Sequence, residues 1–239
     1  MTVVTAGSVR FGLVGTSHPG NIGAAARAMK TMGFTALDLV AAECAVDEQS
    51  TAMAAGAADV VASARVVTDL TQAVADSTLV LGLTARTRRD GVPALSPAEA
   101  GALVAAEPGP VSILFGRERT GLTNDELACC QRLVHIPANP DYPSLNLAAA
   151  VQIMAYELRG AMLRESSAEG TASPEALPAS GAHLEGLHAE LAALVDWTGY
   201  SANQPRTVLL RRLRNFVNRS RPSVDEVNLL RGLLKRTRR

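Results

Sequence analysis

Three stretches of the chain set groups capable of chemistry beside glycine or proline. The first is GTSHPGNIGAAAR, residues 15–27, where Asn21 and Arg27 stand six residues apart. It lies between an apolar run and an alanine-rich one. That order reads as a strand, a turn and a helix N-terminus offering free backbone N–H groups. Six residues are close to two helical turns, which is expected to bring the amide and the guanidinium near one side of the helix. The second stretch is GRERTGLTNDEL, residues 116–127, with Glu118 between two arginines; the third is PANPDYPSLNLA, residues 137–148. A guanidinium can grip a phosphate through two N–H groups and favour charge developing on an oxygen. An amide and a carboxylate can orient a hydroxyl. Each group also has a plain structural explanation. Asn21 would cap a helix, Arg27 would sit on the surface, and Glu118 would pair with Arg117 or Arg119. Asn139-Pro140 and Tyr142-Pro143 would be turn chemistry.

Two familiar phosphate loops do not fit. The glycines Gly15, Gly20 and Gly23 lack the G-x-G-x-x-G spacing of a dinucleotide loop, although Glu43 lies 20 residues beyond Gly23 like a ribose-binding acid. Gly15 and Gly20 have P-loop spacing, but Asn21-Ile22 replace the lysine and hydroxyl that would meet a triphosphate and its magnesium.

The elements that must position these groups follow from periodicity. Short apolar runs at Val9–Val14, Ala36–Val40, Thr78–Leu83, Val111–Phe115 and Leu133–Ile136 read as strands, with a brief extended piece at Val60-Val61. Helices are expected over 21–32, 50–58, from Asp69, from the Ser96-Pro97 cap to about 106, over 123–131 and over 144–164. Strands alternating with helices predict an α/β fold, a mostly parallel sheet with helices on both faces. Ligands then bind beyond the strands' carboxyl ends, where Thr84-Ala85-Arg86-Thr87-Arg88-Arg89 and the second and third stretches all begin. Residues 165–182, ESSAEGTASPEALPASGA, have linker composition. Three amphipathic helices are expected after it, over 183–198, 205–218 and 222–236, with Ser220 and Ser223 as capping candidates.

Charge is divided unevenly along the 239 residues. Residues 1–203 carry 12 Lys/Arg against 21 Asp/Glu, and residues 204–239 carry 11 against 2, so a body of −9 bears a tail of +9. A basic segment on an acidic body is suited to a polyanion. Aromatics make up 3%, so a broad base-stacking surface is not expected. Cys44, Cys129 and Cys130 form no CxxC pair, and His18, His135, His183 and His188 are scattered; no metal site and a reducing compartment are expected. No stretch reads as a signal peptide or a membrane helix, so a cytoplasmic location away from membranes is expected.

In order, NIGAAARAMKTMG, LFGRERTGLTNDEL and IPANPDYPSLNLAAAVQIMAYELR resemble the three motifs of the SPOUT class of RNA 2′-O-ribose methyltransferases. The resemblance is closest to the bacterial tRNA (cytidine/uridine-2′-O)-methyltransferases. It covers roughly residues 9–164 strongly and the basic tail loosely. It implies a methyltransferase domain over 1–164 whose C-terminal part is a deep trefoil knot, a linker over 165–182, and a basic all-helical extension over 183–239 that binds RNA or supports a dimer. It implies S-adenosylmethionine (SAM) held bent in the knot loops, a homodimer with sites near its interface, and tRNA rather than DNA as partner. The implied reaction is methylation of the ribose 2′-hydroxyl of cytidine or uridine at anticodon-loop position 32. Another tRNA or rRNA site, or a non-catalytic knotted RNA-binding protein, are the alternatives.

Carried over residue by residue, Leu83, Thr84, Ala85, Gly116, Ile136, Pro143, Ser144 and Leu145 are implied to bind the cofactor. Arg27, Asn21 and Glu118 are implied to be catalytic. Arg27 would grip the phosphate and favour the alkoxide, Asn21 would orient the ribose or Arg27, and Glu118 would either fix Arg27 or accept a proton. Ser144 and Asn146 would hold the last loop, with Ser144 also capping its helix. Relatives usually carry small polar residues where Leu83 and Pro143 stand, and Pro143 has no N–H to offer the cofactor. Arg86, Arg88, Arg89, Arg117, Arg206, Arg211, Arg212, Arg214, Arg219 and Arg221 are candidates for phosphate contact, which predicts salt-sensitive tRNA binding.

Overall fold

The structure, a computed structural model, describes residues 6–85, 94–165, 177–200 and 204–237. The expected phosphate contacts Arg86, Arg88 and Arg89, and most of the expected linker, lie outside the described residues.

Seven parallel strands form one sheet: β1 (Val9–Val14), β2 (Ala36–Val40), β3 (Arg65–Val67), β4 (Leu79–Leu83), β5 (Ala94–Leu95), β6 (Val111–Phe115) and β7 (Arg132–Val134), in the order β3-β2-β1-β6-β4-β7-β5. Between them run the helices α1 (Pro19–Thr31), α2 (Glu48–Ala54), α3 (Ala58–Ala62), α4 (Leu70–Ala73), α5 (Pro97–Ala105) and α6 (Asn124–Ala128), with α7 (Leu147–Glu165) after the last strand. The inner strands are apolar along their length because both faces are covered. On one face Phe11 stacks on Phe115 at 5.9 Å and meets Phe34 at 5.3 Å, with Met29, Met154 and Leu158 sealing the layer. On the other, Val14, Val80 and Leu114 pack against Leu122, Leu127 and Leu133. Helix α1 lies so close to α2 at Gly23 that a Cβ there would strike the backbone of Ser50 and Ala54.

Local chemistry moves several boundaries from those expected. Val60 and Val61 are helical, within α3; the strand comes afterwards, at Arg65–Val67, where Arg65 reaches the buried Asp38. Helix α6 stops at Ala128, short of Gln131. The backbone N–H of Gln131 donates to the Val80 carbonyl at 2.9 Å and its side chain accepts from Val80 N–H at 2.6 Å, which recruits it to the sheet. Helix α7 begins at Leu147, so Ser144 does not cap it. Asn146 takes that place: its Oδ1 accepts from Ala148 N–H at 2.9 Å and its carbonyl from Ala150 N–H at 3.0 Å.

Three further helices, α8 (Gly181–Thr198), α9 (Arg206–Ser220) and α10 (Val224–Thr237), enclose a small apolar cluster of Ala179, Leu184, Leu187, Val217 and Val227. Ser223 and Glu226 form the hydrogen bonds that start α10. The three helices seat on the body through polar contacts. Gly181 and Ala182 N–H groups donate to the Ser77 and Ala75 carbonyls at 2.8 and 2.9 Å. Asn218 Nδ2 donates to the Ala128 carbonyl at 2.7 Å, Arg132 donates to the Arg219 carbonyl at 3.4 Å, and Arg221 pairs with the buried Glu107. Among the described residues no helix is long and apolar enough to cross a membrane.

Candidate active site

Parallel strands end on one side of the sheet, so the loops after β4, β6 and β7 meet there. They enclose a cavity of about 340 Å³. Leu83, Thr84 and Ala85 line it from the end of β4, Gly116 from β6, Ile136 from β7, and Pro143, Ser144 and Leu145 from the segment before α7. Thr84 N–H donates to the Val134 carbonyl at 3.0 Å, which keeps the first and third walls in register. Gly116 is required by space: a Cβ would fall on the backbone of Gly121 and Leu122. Gly121 itself has φ +68°, the left-handed conformation that closes the 116–122 turn, and its N–H donates to the Arg117 carbonyl at 2.9 Å. Apolar side chains are joined in this lining by Thr84, Ser144 and Thr120 and by the charged Arg117 and Arg119, a setting of the right size for a nucleoside-sized ligand.

Glu118 also lines the cavity and reaches back to the loop after β1. Its Oε1 accepts from Thr16 Oγ1 at 2.8 Å and from Asn21 Nδ2 at 2.9 Å; its Oε2 accepts from Ser17 N and Oγ, each at 3.4 Å. Burial works to raise the pKa of this carboxyl, but the hydrogen bonds from Asn21, its own backbone, Thr16 and Ser17 together carry it below its ordinary 4.5. Glu118 is therefore an ionised acceptor whose lone pairs are already engaged. Asn21 is held at its other end by Asn146, whose Nδ2 donates to Asn21 Oδ1 at 3.5 Å.

Arg27 stands apart from this cluster. Its position is exposed, it does not line the cavity, and among the described residues its side chain forms no hydrogen bond or ion pair. Asn21 and Arg27 do not share a side of α1. Six residues turn a helix by about 600°, which leaves the two about 120° apart and about 9 Å along the axis. Nor does Glu118 fix Arg27; it holds Asn21.

Several arginines expected on the RNA side have protein partners instead. Arg117 pairs with Glu126 at 2.9 Å, Arg206 with Asp196 at 2.6 Å, Arg214 with Glu185, and Arg221 with Glu107. Arg211 and Arg214 line a second cavity of about 520 Å³ between α6, α8 and α9. Two residues of the site were not singled out in the sequence: Thr16, fully buried, and Glu126, which holds Arg117. The only hint for Thr16 is its place in the turn directly after β1.

Fold and site together define a class. A model described as the SpoU rRNA Methylase family matches residues 8–156, and one described as the tRNA methyltransferase TrmJ, C-terminal domain, matches residues 182–239. The tRNA (cytidine/uridine-2'-O-)-methyltransferase TrmJ of Sodalis glossinidius is 44% identical over 229 residues, 95% of this chain and 90% of that protein. Its namesake in Yersinia enterocolitica is 46% identical over 231 residues, with the same shares. The crystal structure of TrmJ from Z. mobilis ZM4 superposes with a TM-score of 0.86 at 33% identity, covering 96% of this chain and 99% of that one. The chain thus belongs to the TrmJ family of SpoU methylases.

Proposed function

We propose that this protein transfers the methyl group of SAM to a ribose 2′-hydroxyl of tRNA, at cytidine or uridine in position 32 of the anticodon loop. The carrying observation is the meeting of three strand-end loops in one cavity, with Glu118 in its wall and Asn21 held beside it. When bound, SAM supplies an activated methyl group, and the cavity's size and mixed lining suit it. Leu83, Thr84, Ala85, Gly116, Ile136, Pro143, Ser144 and Leu145 would hold it, largely through backbone groups. Pro143 contributes its ring and carbonyl but no donor.

A ribose hydroxyl is a poor nucleophile at neutral pH, so the protein must align its oxygen and stabilise charge as its proton leaves. Asn21, oriented from both ends by Glu118 and Asn146, directs its amide at the sugar. Arg27 grips the neighbouring phosphate and favours the developing alkoxide; a guanidinium does not give up its own proton at neutral pH. Arg27 lies outside its own cavity wall, so in this reading the cavity is completed by a second copy, as a homodimer with its sites near the interface. The segment after β6 is proposed to thread as a trefoil knot. The helices over 183–239 are taken as a separate extension that engages tRNA and not DNA, and the setting is cytoplasmic.

Incubation with methyl-labelled SAM and total tRNA, followed by mass-spectrometric mapping of the modified ribose, tests the reading. Label at the 2′-oxygen of C32 or U32 is expected. Binding of SAM with no transfer to any RNA would leave a knotted binding protein and overturn it.

A further inference from the structure

We propose that Arg117 is a positioning residue for the cofactor cavity rather than a contact for RNA phosphate, an inference that rests on the methyltransferase reading above. Arg117 and Glu118 are consecutive, and they tie one loop in two directions. Glu118 reaches Thr16, Ser17 and Asn21. The Arg117 side chain instead lies flat over Gly15, whose φ is +62°; a Cβ at Gly15 would come within 2.6 to 2.9 Å of its Nε, Cζ and Cγ. From there Nη1 donates to both oxygens of Glu126, at 2.9 and 3.1 Å, and Nε stands 3.8 Å from Glu43 Oε1. The backbone of Arg117 closes the turn by accepting from Gly121 N–H.

The partner Glu126 is itself fixed. Its Oε2 accepts from Thr123 N–H at 2.7 Å, and Thr123 Oγ1 accepts from Glu126 N–H at 3.2 Å. This capping box starts α6 immediately after the 116–122 turn. Arg117 therefore joins three pieces: the loop after β1, the turn that walls the cavity, and the first turn of α6. A guanidinium can do this because its several N–H groups meet different carboxylates, here Nη1 on Glu126 and Nε toward Glu43, while its face covers a glycine. A side chain with two carboxylates beside it and 29% of its surface exposed is poorly placed to neutralise a phosphate as well.

The test compares Arg117→Gln and Glu126→Gln with the wild type in the full chain. Gln at 126 keeps an oxygen for the Thr123 N–H, so α6 retains its start, and at 117 the charge stays. Calorimetry with SAM and salt-dependent binding of unfractionated tRNA are the readouts. Wild-type binding of SAM and methylation of tRNA report on the underlying reading separately. Both variants are expected to weaken SAM binding by about tenfold or more, with the slope of log affinity for tRNA against log salt unchanged. The double variant is expected to lose no more than the worse single one. A slope reduced by about one in Arg117→Gln alone, with SAM affinity intact, would make Arg117 a phosphate contact and overturn the proposal. So would SAM affinity unchanged in both. If Arg117→Gln does not fold, Glu126→Gln decides on SAM affinity by itself.

Discussion

Glu118 Oε1 accepts from Asn21 Nδ2 at 2.9 Å, although 97 residues separate them in the chain. The bond joins the first turn of α1, the helix that follows β1, to the loop after β6; β1 and β6 are neighbours at the centre of the sheet. It fixes which way the Asn21 amide faces, because Asn146 engages the other end of that amide. Glu118→Gln replaces an all-acceptor group by one that also carries donors, opposite the donors of Thr16, Ser17 and Asn21. Methyl transfer is expected to fall by about tenfold or more, measured as kcat with saturating SAM. The lowered pKa of Glu118 adds a pH signature. A carboxyl stabilised in its ionised form contributes stability that is present above its ordinary value and lost as pH falls through the lowered one. The stability advantage of wild type over Glu118→Gln should shrink on acidification below about pH 4.5, followed by urea unfolding.

The Arg27 side chain has no partner among the described residues and does not line the cavity. Arg27→Ala should therefore leave the thermal midpoint and SAM affinity near wild type. Transfer to tRNA is expected to fall by about 10²-fold or more, measured with labelled SAM. Equal loss of SAM binding and transfer would contradict the role assigned to it.

His188 is buried on α8, with Nε2 against Asn218 Oδ1 at 3.2 Å. Burial, and then the nearby Arg214 charge, lower its pKa from 6.5 to about 4, against the opposing pull of Glu185 and the Asn218 bond. For a base with a lowered native pKa, the unfolded chain binds the extra proton first. Stability is full above pH 6.5, declines as pH falls toward about 4, and changes no further from this group below that. Trp197, the chain's single tryptophan, sits near the end of the same helix and reports on it. Its fluorescence-detected unfolding should weaken across that window, and His188→Gln should flatten the decline.

Asn218 serves His188 with one atom and the Ala128 carbonyl with the other, at 2.7 Å. Asn218→Leu leaves both buried partners without their bond, at a cost of about 2 kcal/mol. A lower urea midpoint at unchanged m-value would register it.

The basic tail divides into two populations. Arg214 forms a paired ion bridge to Glu185 and is largely covered, whereas Arg212 is exposed and reaches only to Gln204 among its described partners, at 3.3 Å. Arg212→Ala is expected to leave stability unchanged and to weaken tRNA binding by about one counterion's worth of salt slope. Arg214→Ala should do the reverse, lowering the unfolding midpoint first.

What the sequence disclosed follows from periodicity and direction. Val9–Val14 and Val111–Phe115 are apolar runs of strand length, and a parallel sheet obliges the loops after them to share one end, so the meeting of the three strand-end loops was readable, whereas the individual lining residues Leu83, Gly116, Ile136 and Leu145 came only with the family resemblance. The strands at Arg65–Val67 and Ala94–Leu95 were missed because three and two residues carry no period. Partner choice among charged groups was invisible. Arg221 and Glu107 are 114 residues apart, and nothing local separates Arg221 from a solvent-facing arginine such as Arg212. Asn21 and Arg27 misled for another reason: near-integral turns suggested a common side, but the remaining third of a turn separates them.

Much of the seam between the three C-terminal helices and the sheet is written in main-chain atoms: the carbonyls of Ala75, Ser77, Ala128 and Arg219 receive its bonds. Main-chain oxygens do not change when side chains are exchanged. The angle at which the tail is carried is thereby buffered against mutational drift, and a tail transplanted from a cousin could sit at the same pitch while bringing its own surface.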